Sequence, residues 1–148
     1  MFQPVAKRGR VCDQCEVAGT RVALIAAIVR EAHMSVLVPQ DIFSHHIDAV
    51  SRGDMMAILE DYSPDAVLLT PQGALEGHSG VEAFFRQASA ALGAFELRIT
   101  RTVFGGTALL AHWTASSTAA RINDGIDSFV FADGRIQVQT SSFTIQPN

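Results

Sequence analysis

Hydrophobic positions along the chain change their period near Gly93. Before it, Ile42, Phe43, Ile47, Ala49 and Val50 share one face of a helix, with Asp41 placed as a cap near its start and Gly53 past its end. His46 lies inside that apolar stripe, and His45 points away from its centre. Asp54 is placed to cap a short second helix carrying Met55, Ile58, Leu59 and Tyr62, which Ser63-Pro64 ends. Ala66–Thr70 reads as a strand, followed by the turn Pro71-Gln72-Gly73 and a short extended piece, Ala74–Glu76. Ser79-Gly80-Val81-Glu82 has the form of a capping box, opening a third helix whose buried face is Val81, Phe84, Phe85, Ala88 and Leu92.

After Gly93 the period is two. Phe95, Leu97 and Ile99 alternate with Glu96, Arg98 and Thr100, and Gly105-Gly106 turns the chain into a strand over Thr107–Ser116. A further strand runs from Ile122 to Phe131, and Asp133-Gly134 turns it into a last one, Arg135 to Ile145. Three helices and an antiparallel meander predict an α+β domain whose sheet buries one face against the helices.

Composition narrows the picture. A chain of 148 residues, 48% hydrophobic and 18% charged, suits one globular domain. The formal charge of −4 is uneven: residues 1–33 hold five basic groups against three acidic ones, leaving six basic against twelve acidic in the rest. So acidic a domain offers no footprint for phosphate backbones, which argues against a nucleic-acid partner. Residues 1–39 read as an N-terminal extension, either a disordered arm or an upstream misreading of a start at Met34, and residues 40–148 as the domain. The apolar run Val22–Val29 is bracketed by Arg21 and Arg30 and is too short to span a bilayer, so no membrane partner is expected. Cys12 and Cys15 form a C-x-x-C pair without a second pair of ligands to complete a zinc site and without the strand-then-helix setting of a redox site. They read as plain thiols of a cytoplasmic protein, and neither metal nor cofactor is expected.

The order helix, Gly53-Asp54, helix, Asp61-Tyr62 with Asp65-Ala66-Val67, strand, Pro71-x-Gly73, Gly77 and Val81 with Phe84-Phe85, then long strands with His112-Trp113 on one and Ile126-Asp127-x-Phe129 on another, resembles the NTF2-like superfamily, most closely its SnoaL-like and ketosteroid-isomerase-like group. The resemblance covers about residues 40–146. It implies an NTF2-like cone: three helices packed on a curved, mainly antiparallel sheet around a mostly apolar pocket, with a homodimer formed through the outer sheet face. It does not imply one activity, because the superfamily hosts isomerases, cyclases, dehydratases and non-catalytic modules.

Ketosteroid isomerases place a carboxylate base after the first strand, a tyrosine on the first helix and a protonated aspartic acid on a late strand. The resemblance puts Asp127 at the last of these, where period two sets it beside Phe129 and an apolar setting would keep it neutral as a hydrogen-bond donor. The alternatives are an Asp paired with a neighbouring arginine or one at the wet end of the strand, near Asp124-Gly125. His46 stands at the tyrosine position, as a proton shuttle or as a core histidine satisfied by one partner. Thr70 stands at the base position and cannot abstract a proton from carbon, so steroid isomerase activity is not expected. SnoaL-like cyclases use an aspartate and histidines, which makes His112 a third catalytic candidate if its side chain points inward; by parity Trp113 takes the more apolar face and reads as packing. Phe43, Thr70, Phe85 and Phe129 are the expected lining. Two readings result: acid/base chemistry on a small apolar carbonyl compound, or a non-catalytic module for ligand binding or dimerisation.

Overall fold

In a computed structural model of the protein, the described residues are 38–148. The expectations for Cys12, Cys15, Val22–Val29 and Met34 lie outside them.

Helix α1 spans Pro39–Arg52 and ends at Gly53, whose positive φ lets the backbone N–H turn back onto the carbonyls of Ala49 and Val50. Its buried face is Ile42, Phe43, His46 and Ala49. Asp41 is not its cap: the helix begins earlier, at Pro39, whose missing N–H costs nothing there, and Asp41 lies in the first turn. Helix α2 spans Met55–Glu60, and the Asp54 carboxylate accepts from the Ala57 N–H at 3.1 Å. Tyr62, assigned by its spacing to this helix, instead opens strand β1, Tyr62–Thr70. The strand tolerates Pro64 because its parallel pairing with the strand Arg135–Ser142 is interrupted between Tyr62 and Val67.

Strand β2, Gly73–Glu76, runs directly into helix α3, Gly77–Leu92. The expected capping box at Ser79 does not form, because the helix has already begun two residues earlier and Glu76 occupies the cap position. Helix α3 packs along β1. Four longer strands complete a meander: β3 Phe95–Gly105, β4 Ala108–Ser117, β5 Ala120–Ala132 and β6 Arg135–Ser142. A two-residue β7, Gln146–Pro147, pairs with β5. The sheet order is β2-β1-β6-β5-β4-β3, antiparallel except for β1 beside β6. This is an α+β fold with the helices on a curved sheet.

Three irregularities decide which side chains face the helices. On β3, Ile99 pairs with Trp113 but Arg101 with His112, so Thr100 is an extra residue. On β5, Gly125 pairs with Trp113 but Ile122 with Ala115, so the Asn123-Asp124 pair holds one residue too many. On β6, Ile136 pairs with Phe131 but Val138 with Val130, which leaves Gln137 over. Each bulge reverses the in/out alternation of the strand that carries it and sharpens its bend.

Two apolar clusters result. One joins Ile42, Phe43, Ile58, Tyr62, Val81, Phe129 and Ile136; the other joins Leu92, Ala115, Ala120 and Ile122, with Trp113 and Phe143 packed against it.

The Asp54 cap is the sole side-chain cap of the two helices α1 and α2 that hold His46 in place. Asp54→Ala is expected to destabilise the domain by about 1 kcal/mol in chemical denaturation. No measurable loss would show that the α1–α2 corner is held by packing alone.

Candidate functional site

Between the two clusters lies a cavity of about 70 Å³. Its walls are mostly apolar, built by Phe43, Phe85, Leu92, Ala111, Ile122 and Phe129 among others, and its polar groups are His46, Trp113, Asp127, Gln139 and Ser141. The volume holds about two waters, well below the several hundred Å³ typical of a pocket around a drug-sized ligand. Phe84, Ala88 and Phe143 border both this cavity and a second groove. The Phe84 and Phe143 rings meet edge to face at 6.2 Å, forming the partition between the two spaces.

Asp127 is the centre of the polar group. Ser141 Oγ donates to its Oδ1 at 2.7 Å, and Gln139 Nε2 donates to its Oδ2 at 2.9 Å. The Tyr62 hydroxyl donates in turn to Gln139 Oε1. Among the described residues no arginine takes part. Burial raises the Asp127 pKa above the ordinary carboxylate value, and the donors Ser141, Trp113 and Gln139 and the nearby His46 oppose the rise without cancelling it. Tyr62 is fully buried, and burial first, then the charges of Asp127 and Asp61, push its pKa well above that of a free phenol. It therefore remains a neutral donor.

Trp113 is held by a close approach. Its indole lies over Gly125, where an added Cβ would sit 2.3 Å from the ring. The ring comes near enough to Asp127 to lower its pKa, yet the buried Nε1–H makes no hydrogen bond of regular geometry. It is a donor beside the carboxyl, close to it but not in regular hydrogen-bond geometry.

The other wall carries His46. Its side chain is 3% exposed and ringed edge-on by Tyr62, Phe85 and Phe129 at 5.4–5.8 Å.

Five of the seven residues singled out in the sequence thus meet at one cavity: Asp127, His46, Phe43, Phe85 and Phe129. Two do not. His112 is on the outer face of β4, because Ala111, Trp113 and Ala115 take the inner one. Thr70 borders the second groove, and its hydroxyl is used in the β1–β2 turn, accepting from the Gln72 N–H and donating to the Gly73 carbonyl. His78 is part-buried, with Nε2 3.1 Å from the Tyr62 carbonyl oxygen. Sequence reasoning missed Gln139, Ser141 and Tyr62, and read Trp113 as packing. Among the described residues no cluster of three or more His, Cys, Asp or Glu is arranged to hold a metal ion, and no helix is long and apolar enough to cross a membrane.

A family model described as a SnoaL-like domain matches residues 43–139. Solved structures share the fold at low identity. A candidate ketosteroid isomerase from Kribbella flavida is 15% identical, with 72% of this chain and 77% of that one covered and a TM-score of 0.63. A candidate polyketide cyclase from Sinorhizobium meliloti is 23% identical, with 68% and 93% covered and a TM-score of 0.59. TerC, co-crystallised with polyporic acid, is 18% identical, with 72% and 91% covered and a TM-score of 0.61. No curated protein matches the chain.

The raised Asp127 pKa fixes a sign. Below the ordinary aspartate value of about 4 the buried carboxyl is neutral in both folded and unfolded chains and its full contribution to stability is present. As pH rises through the raised folded value, the unfolded chain ionises more readily and that contribution is lost. The stability of the wild type minus that of Asp127→Asn is therefore expected to fall as pH rises from about 4 through the raised folded value and then to level off, measured by denaturation across pH. A difference that is flat or rises with pH would show that Ser141 and Gln139 outweigh burial.

Proposed function

Because the chain belongs to the SnoaL-like domain family, we propose that its cavity receives the carbonyl end of a small lipophilic molecule and that the domain performs general acid/base chemistry on it. One observation carries the reading. The buried Trp113 N–H makes no hydrogen bond of regular geometry, and it sits beside a carboxyl whose pKa burial raises, within an otherwise apolar wall. A filled core has no use for a donor left unpaired, since each such group costs about 1–3 kcal/mol. A ligand carbonyl oxygen would take both donors, the indole N–H and the Asp127 O–H, which is the arrangement that also stabilises a developing enolate. The oxygens of Asp127 still accept from Ser141 and Gln139, which fixes the carboxyl in plane.

The size of the cavity adds a condition. A drug-sized ligand exceeds this volume, and the Phe84–Phe143 pair, which borders both cavity and groove, is where a turn of the rings would join the two spaces. Thr70 supplies no base, so a steroid isomerase reaction of the usual form remains unsupported.

Trp113 is the only tryptophan in the chain, so its fluorescence reports on the cavity directly. Acetophenone and cyclohexanone are expected to quench it saturably, with affinity reduced about tenfold or more in Asp127→Leu, which has no hydrogen bond to give. Linear quenching that is the same in both proteins would favour a non-catalytic module with a packed interior.

A second role is supported by a separate surface. The outer sheet face carries Leu69, Val103, Leu110, Ile126 and Val130, each 40–48% exposed, and His112 pairs with Ile126 among them. Such a strip on one sheet face suits a homodimer contact. Ile126→Glu is expected to shift the protein from dimer to monomer in sedimentation; a wild type that is monomeric at high concentration overturns it.

A further inference from the structure

Behind the cavity wall, two buried polar atoms face each other without partners. His46 Nδ1 and Asp61 Oδ2 are 3.7 Å apart, too far for a hydrogen bond, and neither bonds to anything else. Asp61 is 8% exposed, and its other oxygen, Oδ1, lies 2.7 Å from His45 Nδ1. The three edge-on rings around His46 leave its imidazole little freedom to turn this edge elsewhere.

Electrostatics then selects one tautomer. With the proton on Nδ1, His46 offers a donor to the bare carboxylate oxygen, and a movement of well under 1 Å closes the hydrogen bond. With the proton on Nε2, the Nδ1 lone pair would face the carboxylate lone pairs in a buried setting, leaving both acceptors unsatisfied. The ring also lines the cavity that holds Asp127. We infer that Asp61 is a positioning residue: it holds neutral His46 as the Nδ1–H tautomer, so that Nε2 keeps a lone pair and serves as the base that Thr70 cannot supply.

This rests on the ligand reading above and gives it a reaction class, proton abstraction next to a carbonyl. The C–H bond adjacent to the carbonyl breaks, its proton forms an N–H bond at Nε2, and the electron pair passes to the carbonyl oxygen held by Asp127 and Trp113. Asp61 shares the resulting imidazolium charge. In a β,γ-unsaturated carbonyl compound the pair is shared over a dienolate, and return of the proton from Nε2 to its γ-carbon moves the double bond into conjugation and restores His46, with no co-reactant.

The test is the nitrogen NMR signature of the His46 imidazole in the ligand-free protein at neutral pH, assigned by its loss in His46→Phe. The expected result is an unprotonated Nε2 and a protonated Nδ1, kept in His45→Ala and replaced by a tautomer mixture or by Nε2–H in Asp61→Asn. A wild type with Nε2–H overturns the inference whether or not Asp61→Asn folds, and so does a folded Asp61→Asn that leaves the tautomer unchanged. Because no ligand is present, failure of the cavity to bind ketones leaves this result standing; an Nε2–H tautomer with ketone binding intact removes only the role of Asp61 and His46.

Discussion

One extra residue in the last long strand, Gln137, sets the character of the cavity. Strict alternation from Ile136 would send Val138 and Thr140 toward the helices and Gln139 and Ser141 to the surface. The bulge reverses this, so the residues opposite Phe129 and Asp127 are Gln139 and Ser141, which are 1% and 4% exposed. Without that reversal Asp127 would face valine and threonine, and its burial would have far less to offset it. The bulges on β3 and β5 act in the same way, keeping Ile99 and Ile122 on the inner face on either side of Trp113.

The sequence revealed the fold more readily than the site because of the same irregularities. Period changes and turn residues placed every long element of the domain to within a few residues, and the order of weak motifs pointed to the cone. His46 and Asp127 could be found because each interrupts an apolar stripe. Gln139 and Ser141 could not: in a strand reading I-Q-V-Q-T-S-S, regular spacing assigns the polar residues to the wrong face, and nothing in the residues announces a bulge. Tyr62 was lost for a related reason, since its spacing from Leu59 and Ile58 fits a helix that in fact ends at Glu60. The one visible sign was Gly125, a glycine inside an apolar strand and opposite a tryptophan, which marks a place where a ring lies flat on the backbone.

The interior is otherwise economical with polar groups. Tyr62, Gln139, Ser141 and Asp127 satisfy one another in a single chain of donors that ends on the carboxyl. Such a network fixes geometry at little net gain in stability, since an apolar replacement of the same shape would cost no desolvation. Its value lies in holding one carboxyl in one orientation.

Among the described residues, the buried side-chain atoms without a hydrogen bond are three: His46 Nδ1, Asp61 Oδ2 and Trp113 Nε1. A native interior leaves few such groups, and scattered packing faults would not gather at one place. Here two of them belong to side chains that line the cavity, and the third stands directly behind one of those. Read by charge, they divide. Trp113 adds a donor on the side of Asp127, where negative charge would develop, and Asp61 adds an acceptor behind His46, where positive charge would develop. Electrostatic preorganisation acts through dipoles fixed before the reaction, in a space that excludes water, and its signature is opposite polarity at the two ends of such a space. A cavity shaped only to store an apolar molecule would need neither end, which is why the pairing of the two sets of orphaned atoms weighs toward chemistry over storage.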